Sequence, residues 1–432
     1  MKNDKLITAP YKGTTDTYPE DMIVRNYIFD IWSRVAKRFG YEEYDTPMIE
    51  TAELFRVKSG NELSNQLYNF TDKGGREIAL RPEMTPSLAR MIAAKKNELQ
   101  LPIRWFNIGK FYRYEKPQRG RRREFFQLNI DILGVDGIEA ELEMIQYVMA
   151  VMDEFNAPKK TFELRINNRY LLDYLFNNIL KVSEDLIPKL ARAIDNFPKM
   201  ELKDFKEYLI EIGLTKQQGD KVLDFLGWDL SKLETIRKES KGANQLLELF
   251  KKIKELSISN VVFNPSIMRG LDYYTGIVIE MFDIGGSENP RAMFGGGRYD
   301  DLLAIFGEDK LPAFGLGWGD IITIDYLTTY NLLPNIKTNT AVYVTLMDEK
   351  LLKETTCVVQ ELRKNDINTL MCLEPIKLKK QLKEANRKSI KWVIFIGDEE
   401  IKQDKIKLKD MNTGESVIIT VAESIQKIKS IL

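Results

Sequence analysis

The chain has 432 residues, with 64 lysine and arginine residues matched by 64 aspartate and glutamate residues, two cysteines and no histidine. The length predicts two to four domains, and the balanced charge argues against a protein coated in basic residues for nucleic-acid binding. Without histidine the chain cannot contain a Ser-His-Asp or Cys-His nucleophile, a histidine-ligated zinc site or an imidazole general base, and two cysteines cannot form a disulfide framework.

The first predicted element is a long amphipathic helix. The residues before it, Met1–Pro10, are polar and lack the apolar core of a signal peptide. A helix over Pro19–Phe39 would bury one stripe that includes Ile28, Trp32 and Val35. Since no apolar run approaches the ~18–20 residues that span a bilayer, we expect a cytoplasmic protein with no membrane contact.

Two strand-like runs, Ile103–Glu115 and Arg123–Leu133, follow and are joined by the polar loop Lys116–Arg122. Alternate residues of a strand share a face, and one face of the second run is a plain apolar core face. The opposite face collects Arg123, Phe125, Gln127, Asn129 and Asp131. A solvent-exposed outer face would explain this pattern too, but the basic residues of the loop favour a phosphate-binding surface. These are Lys116, Arg119, Arg121, Arg122 and Arg123, around Gly120.

Three further segments are candidates for a ligand site. Arg81–Thr85 is weak alone, because a proline turn with a capping glutamate explains it equally well. Met268–Gly276 places an arginine beside a glycine and then two tyrosines, which core packing would also explain. Gly295–Asp300 permits close approach of a ligand or of another strand, although a tight turn needs glycine as well. No P-loop or Rossmann fingerprint is present, so arginines on an antiparallel sheet would have to hold any bound nucleotide.

The remaining chain predicts a helical insertion and a separate terminal domain. Within 168–259, where no chemical constellation appears, leucine, lysine and glutamate recur at helical spacing in four runs: Tyr170–Ile179, Ile187–Ile194, Leu202–Ile212 and Asn244–Leu256. Residues 333–340 form a short connector. Beyond it, strands alternate with the predicted helices Glu349–Lys364, Leu378–Asn386 and Ala422–Ile431 through 341–432, which predicts an α/β domain of its own.

These segments resemble those of the histidyl-tRNA synthetases, a family of class II aminoacyl-tRNA synthetases, over essentially the full chain. The matching segments occur in the family's order. They are Tyr44–Pro47 (motif 1), Phe111–Gln127 (motif 2), Met268–Gly276 and Gly295–Asp300 (the two signatures of histidine enzymes), and Ile396–Glu400 with Lys405–Asp410 in the terminal domain.

The resemblance implies a fold and an activity. We expect an α+β catalytic domain over 1–332, built on a mixed, mainly antiparallel sheet of six to seven strands and carrying the mostly helical insertion 168–259. A linker, 333–340, and a C-terminal α/β anticodon-binding domain, 341–432, would follow. The implied reaction joins L-histidine to tRNA(His) at the expense of ATP with Mg²⁺, in a homodimer formed largely through motif 1.

The resemblance also implies roles for individual residues. ATP would be bound by Arg113, Glu115, Arg121, Phe125 and Arg269, with Arg269, Arg113 and Arg121 as the catalytic cations. Histidine would be bound by Glu83, Thr85, Arg113, Gln127, Asp131, Arg269, Tyr273, Tyr274 and Tyr299. Gln118 and Arg119 would meet the acceptor end of the tRNA, and Mg²⁺ would be bound through ATP, with Glu115 as the one side-chain candidate.

The residue types suit this assignment. A neutral imidazole has one donor and one acceptor nitrogen, which the Asp131 carboxylate and the Tyr274 hydroxyl can satisfy together. Sites built on such paired hydrogen bonds discriminate by about 10⁴–10⁵. Neither reaction step requires an imidazole of the enzyme, since arginines and Mg²⁺ can stabilise phosphoryl charge.

The chain departs from the family pattern at three positions. Family members often carry a histidine where Phe126 stands, a position that we expect to face the core, and some carry glutamate in place of Asp131. The third departure is the segment that resembles motif 3, Phe314–Ile322, where class II enzymes usually place an arginine. This chain has no arginine or lysine between Lys310 and Lys337.

The third departure leaves two hypotheses. The chain is either an active ligase or a catalytically silent paralogue that senses histidine or tRNA. The predicted anticodon-binding domain and the retained motif 2 residues Arg113, Arg121 and Arg123 favour the ligase. Only the lack of a motif 3 cation favours the silent paralogue.

Overall fold

The computed structural model describes residues 6–57, 65–118, 120–268, 274–286, 292–335 and 338–431. By its internal contacts the chain divides into a larger unit, residues 1–16 and 27–333, and a smaller unit, residues 17–26 and 334–432. None of the helices within the described ranges is long and apolar enough to cross a membrane.

Among the described residues up to 333 there are eleven strands and eleven α-helices. In chain order the strands are β1 (Glu42–Glu43), β2 (Ile49–Thr51), β3 (Tyr68–Thr71), β4 (Glu77–Leu80), β5 (Ile103–Tyr112), β6 (Glu124–Leu133), β7 (Phe162–Asn168), β8 (Val261–Phe263), β9 (Ile277–Asp283), β10 (Ala292–Arg298) and β11 (Ala313–Gly319). The α-helices are α1 (Pro19–Arg38), α2 (Ala52–Arg56), α3 (Thr85–Lys95), α4 (Glu139–Glu154), α5 (Arg169–Tyr174), α6 (Ile187–Asn196), α7 (Leu202–Glu211), α8 (Lys216–Leu226), α9 (Leu230–Thr235), α10 (Lys241–Glu255) and α11 (Asp320–Thr329).

A mixed sheet organises the larger unit and confirms the predicted fold class. Within the described ranges it has eight strands in the order β1-β5-β6-β11-β10-β9-β7-β8. Only the two edge pairs, β1 with β5 and β7 with β8, are parallel. The count exceeds the predicted six to seven because each edge ends in a short strand, two residues in β1 and three in β8. Strands β2, β4 and β3 form a separate antiparallel sheet.

The predicted core face of β6 is confirmed. Leu128, Ile130 and Ile132 are almost fully buried in the main core, which also contains the apolar stripe of α1 and residues of α4. Phe126 lies on the same side, with its ring centroid 5.1 Å from that of Phe29 in α1. Because side chains alternate along a strand, the opposite face of β6 is left for the cavity described below.

The insertion is helical, as predicted, but it contains more helix than the apolar spacing indicated. A π-helical turn, Leu175–Leu180, continues α5, and α8 and α9 fill a stretch in which no helix was predicted. Helix α8 begins at a capping box in which Thr215 and Gln218 bond each other's backbone N–H groups. That local signal, and not a long apolar stripe, marks the start of α8.

The smaller unit is an α/β domain, as predicted. Its strands are β12 (Val342–Val344), β13 (Thr369–Met371), β14 (Trp392–Phe395), β15 (Ile406–Asp410) and β16 (Ser416–Ile419), in the spatial order β13-β12-β14-β15-β16. Its α-helices are α12 (Leu352–Lys364), α13 (Leu378–Arg387), α14 (Asp398–Lys402) and α15 (Val421–Lys429). The five-residue α14 was not predicted, because one helical turn is too short to show apolar periodicity.

Candidate active site

A cavity of about 860 Å³ lies over the polar face of the large sheet. Its floor follows one row of directly opposed residues across five strands: Asn129 (β6), Gly317 (β11), Gly295 (β10), Glu280 (β9) and Arg165 (β7). The two glycines leave a strip of bare backbone between the side chains of Asn129 and Glu280. Because neighbouring strands lie about 4.8 Å apart, the strands of these two residues are about 14 Å apart. A flat ligand can therefore lie directly against the sheet here.

The glycines of β10 and β11 are required by close approach. A Cβ atom added to Gly315 would overlap the Asp131 carboxylate, and one added to Gly317 would overlap the Gln127 amide. At Gly297 the added atom would come within 2.7 Å of the Tyr274 ring. The glycine run thus lies in a strand and not in a tight turn, which decides between the two interpretations that the sequence left open.

One end of the cavity is built around a buried carboxylate. Asp131 is 4% exposed, and its Oδ1 accepts a hydrogen bond of 2.5 Å from the hydroxyl of Tyr299. Burial raises the pKa of Asp131 to about 7, and the hydrogen bond from Tyr299 opposes part of that rise. Tyr274 and Tyr299 both line the cavity. The structure therefore brings three of the predicted histidine-binding residues together.

A further tyrosine, Tyr44 of the segment resembling motif 1, belongs to the same region. Its ring packs 5.5 Å from that of Trp105, the residue opposite Asp131 in the β5–β6 pair. Its buried hydroxyl has no hydrogen-bond partner among the described residues. Burial raises its pKa well above the usual range, and the nearby Asp131 charge adds to the rise, so this hydroxyl stays neutral.

The other end of the cavity is cationic. Arg113 donates from Nε to the Pro82 carbonyl (3.0 Å), and its guanidinium carbon lies 5.3 Å from the Phe125 ring centroid. Arg121 pairs with Glu115 at 3.0 Å. Arg113, Glu115, Arg121 and Phe125 all line the cavity, as the resemblance implied for a nucleotide site.

Arg81–Thr85 is more than a proline turn. Arg81 is 2% exposed and donates from Nη1 to the Asp45 carboxylate (2.8 Å) and the Thr46 carbonyl (2.7 Å). Its own carbonyl accepts from the Tyr112 amide (3.0 Å) at the end of β5. These bonds hold the buried Glu83 and the first residue of α3, Thr85, at the cavity wall.

The loop between β5 and β6 corrects one prediction. Arg123 was grouped with the phosphate-binding loop cations, but its guanidinium stacks 4.1 Å from the Tyr114 ring centroid. Its backbone N–H bonds the Gly13 carbonyl (2.9 Å), and Nη1 donates to the Tyr11 hydroxyl (3.2 Å). Arg123 thus fastens the N-terminal segment to this loop and does not line the cavity. One of its partners, Tyr11, is 112 residues away in sequence, whereas Tyr114 belongs to the same loop.

The segment resembling motif 3 has a structural role at the same place. Asp320, the first residue of α11, is fully buried, and its Oδ1 accepts from the Phe126 backbone N–H (3.1 Å). This bond ties α11 to β6 between two cavity residues, Phe125 and Gln127. The segment brings no cation to the cavity.

Several cavity residues were missed by sequence reasoning. They are Arg165, Asp195, Lys199, Glu280 and Asp283. Strand alternation in β7 and β9 could have placed Arg165 and Glu280 on one face, but no sequence signal connects Lys199 of the insertion to the sheet. Gln118 also lines the cavity. Arg119, Arg269 and Tyr273 lie outside the described residues.

Comparisons with known proteins agree with this geometry. A family model described as histidyl-tRNA synthetase matches residues 13–318, and one described as anticodon binding domain matches residues 341–431. The chain is 40% identical to a histidine–tRNA ligase from Leptospira biflexa, with 99% of each chain covered. It is 35% identical to the chloroplastic/mitochondrial histidine–tRNA ligase of Arabidopsis thaliana, covering 97% of this chain and 86% of that protein.

A solved structure is similar as well. The crystal structure of histidyl-tRNA synthetase from Nostoc sp. PCC 7120 matches with a TM-score of 0.86 at 27% identity, covering 99% of this chain and 100% of that one. Two family models and full-length relatives therefore agree with the sheet, the glycine floor and the buried carboxylate. The chain belongs to the histidyl-tRNA synthetase family.

Proposed function

We propose that this chain is a histidine–tRNA ligase, which activates L-histidine with ATP and transfers it to the 3′ end of tRNA(His). The observation that carries the proposal is one cavity with two chemically different ends. A buried carboxylate and two tyrosines suit an imidazole, whereas arginines beside an aromatic ring suit a nucleoside triphosphate. The bare glycine floor between them accommodates the adenylate that joins the two substrates.

In the first step an oxygen of the histidine carboxylate attacks the α-phosphorus of ATP. The bond from that phosphorus to the α,β-bridging oxygen breaks, and pyrophosphate leaves with the bonding electrons. Arg113 and Arg121 hold phosphate oxygens, and Arg269 stabilises charge at the α-phosphate. Phe125 stacks on adenine, while Glu83, Thr85 and Gln127 receive the substrate ammonium group.

Histidine selectivity comes from the end of the cavity around Asp131. The Asp131 carboxylate accepts the imidazole N–H, and the Tyr274 hydroxyl serves the other ring nitrogen. Tyr299 already donates to Asp131 and so orients the carboxylate, and Tyr273 completes the pocket. A side chain without both a donor and an acceptor would leave these groups unpaired.

Magnesium fits this site through ATP. The cavity offers carboxylates as hard oxygen donors, with Glu115 as the side-chain candidate. No group of three or more metal-ligating side chains occurs in the described ranges. Bound Mg²⁺ would neutralise phosphate charge, and the protein's arginines would supply the remaining stabilisation.

In the second step a ribose hydroxyl at the 3′ end of tRNA(His) attacks the histidyl carbonyl carbon, and AMP leaves. Gln118 and Arg119 of the motif 2 loop meet the acceptor end, and the smaller unit binds the anticodon arm. Charging assays with tRNA(His) test this directly. We expect charging with histidine and with no other amino acid, and a folded protein that binds tRNA without charging it would contradict the proposal.

Arg269 provides a second test. The Arg269→Ala variant removes the cation assigned to the α-phosphate, so histidine-dependent pyrophosphate exchange should fall by about 10²-fold or more while the melting temperature stays unchanged. The exposed Lys353→Ala substitution in the smaller unit is the control. Unchanged exchange in the folded Arg269 variant would remove its assigned role.

The proposed homodimer is supported by an apolar surface. Met48, Ile49 and Phe70, on or beside the small β2-β4-β3 sheet, are 39%, 49% and 47% exposed. Such a patch is typical of an interface. Light scattering should give twice the mass of the chain, and Ile49→Asp should lower that mass; a wild-type monomer at micromolar concentration would contradict the dimer.

The silent paralogue is the second candidate function, because Phe314–Ile322 contains no cation. Cations from other elements do reach the cavity: Arg113, Arg121, Arg122, Arg165 and Lys199 line it. A silent paralogue would bind histidine or tRNA without forming adenylate. Histidine-dependent ATP–pyrophosphate exchange separates the two candidates.

A further inference from the structure

Arg298 belongs to the glycine-rich signature Gly295–Asp300 but has no assigned role. It forms a buried ion pair with Glu141 of α4, and the two side chains are 4% and 1% exposed. Arg298 donates from Nε to Glu141 Oε1 (2.7 Å) and from Nη2 to Oε2 (2.6 Å). This is a two-point, fork-to-fork contact that lysine could not reproduce.

The remaining donors of Arg298 are also occupied. Nη1 donates to the Val135 carbonyl (3.0 Å) and Nη2 to the Gly137 carbonyl (2.8 Å). Asp300 lies 3.6 Å from Nη1. Val135 and Gly137 belong to the segment that joins β6 to α4, a few residues after Asp131. One guanidinium therefore connects the end of β10 with the chain that follows Asp131.

Arg298 and Tyr299 act on opposite faces of the sheet. Arg298 stands in the row of Phe314 and Ile132, two residues of the buried core. Tyr299, the next residue, reaches the cavity face and donates to Asp131. Since β11 separates β10 from β6, the two residues bridge across an intervening strand, one below the sheet and one above it.

The segment that carries Tyr274 depends on the same strand end. The N–H of Thr275 donates to the Arg298 carbonyl (2.7 Å), and the Thr275 hydroxyl donates to Asp300 (3.1 Å). Tyr274 precedes Thr275 and lines the cavity. Tyr299 thus lies between Arg298 and Asp300 in sequence, and Tyr274 precedes Thr275, which bonds both of those residues.

We propose that Arg298 is a positioning residue for histidine recognition: paired with Glu141, it holds Tyr299 and Tyr274 at the Asp131 end of the cavity. The inference rests on the proposed function, because it assigns the imidazole to that end. If the pair had a purely structural role, its removal would change the stability of the protein and not selectively the KM for histidine. Replacing a buried ion pair by apolar residues of similar volume is often neutral or stabilising, so stability alone does not require the pair.

The test exchanges the pair as a unit. The double variant Arg298→Met/Glu141→Met removes both charges together and avoids leaving one buried charge unpaired. The matched control is Arg104→Met/Glu143→Met. That pair also joins a strand of the sheet to α4 with two hydrogen bonds (2.7 and 2.9 Å), but neither residue lines the cavity.

Histidine and ATP requirements are measured separately by pyrophosphate exchange, and histidine binding by calorimetry. In the Arg298→Met/Glu141→Met variant we expect the KM for histidine to rise about 10- to 100-fold, because small misplacements of binding groups have effects of that size. The KM for ATP should change no more than about twofold, as for a distant site. The control pair should leave both KM values within the same limit.

Single variants extend the test. Arg298→Lys keeps the charge but loses the fork, and it should give a histidine KM between wild type and the double variant. If the double variant does not fold, Glu141→Gln keeps the shape and one acceptor and should weaken histidine binding on its own. A folded double variant, or a folded Glu141→Gln, with wild-type histidine affinity would overturn the proposal.

The proposed function fails in a distinguishable way. A wild-type protein that binds histidine without exchange would refute the ligase activity, while calorimetry on the variants would still test Arg298. A wild-type protein that does not bind histidine at all would overturn both.

Discussion

The carboxyl group of Asp131 and the imidazole of the proposed substrate have similar pKa values. Burial raises the pKa of its carboxyl to about 7, because removal from water disfavours the charged form. Free imidazole titrates near a pKa of about 6.5. The recognition of a neutral imidazole by a carboxylate therefore requires that both groups have lost a proton.

This gives a pH dependence with a definite sign. As the pH falls from about 8 to about 6, Asp131 and histidine should each take up a proton and histidine affinity should fall. In Asp131→Asn only the substrate titrates. A plot of the logarithm of histidine affinity against pH should therefore have a slope that is smaller by up to one than in the wild type. Calorimetric titrations across this range measure both slopes; equal slopes would contradict imidazole readout by Asp131.

The glycine floor makes a second prediction. Gly315→Ala places a Cβ atom against the Asp131 carboxylate and should raise the KM for histidine about 10- to 100-fold. The ATP requirement should change much less, since Gly315 faces the Asp131 end. Exchange kinetics with each substrate varied in turn would show this, and equal effects on both substrates would contradict the geometry.

Single residues also show how far sequence reasoning reaches into the site. Strand alternation placed Phe125 and Gln127 on the ligand face, because it depends only on neighbours along one strand. Arg123 was misjudged and Lys199 was missed. Arg123 bonds Tyr11, 112 residues earlier in the chain, and Lys199 lines the cavity from an insertion outside the sheet, which no local pattern reveals.

At the scale of elements, long periodic segments were predicted well and short ones were not. Helix α1 and strands β5 and β6 have apolar patterns over ten or more residues, and their predicted bounds agree with the structure to within about three residues. Helices α8, α9 and α14 were missed. Helices α8 and α9 begin at side-chain caps, Thr215 and Asp229, and α9 and α14 are only six and five residues long, too short to show an apolar period.

In helix α8, two substitutions should change the free energy of unfolding in opposite directions. Thr215→Ala removes the capping box and should lower the free energy of unfolding by about 0.5–2 kcal/mol. Gly219→Ala adds a methyl group in ordinary contact with Leu209 and should raise it by about 0.4–1 kcal/mol. Denaturant unfolding measures both changes. A stabilising Thr215→Ala would show that the cap does not hold the helix.

At the scale of the whole molecule, the fold class followed from motifs in the family's order and not from composition. Composition contributed an exclusion: without histidine, the chemistry had to rest on arginine, carboxylate and tyrosine. The cavity is lined by those groups. The strand count and the contribution of the insertion to the cavity could not be predicted, because both arise from packing between distant segments.

The central claim is that this chain forms histidyl-adenylate. Histidine-dependent ATP–pyrophosphate exchange on the purified chain, without tRNA, tests it most directly. We predict exchange with histidine and with no other amino acid. That result would also show that the enzyme activates histidine with ATP without a motif 3 cation. A folded chain that binds histidine yet shows no exchange would contradict the claim and identify the protein as a sensor.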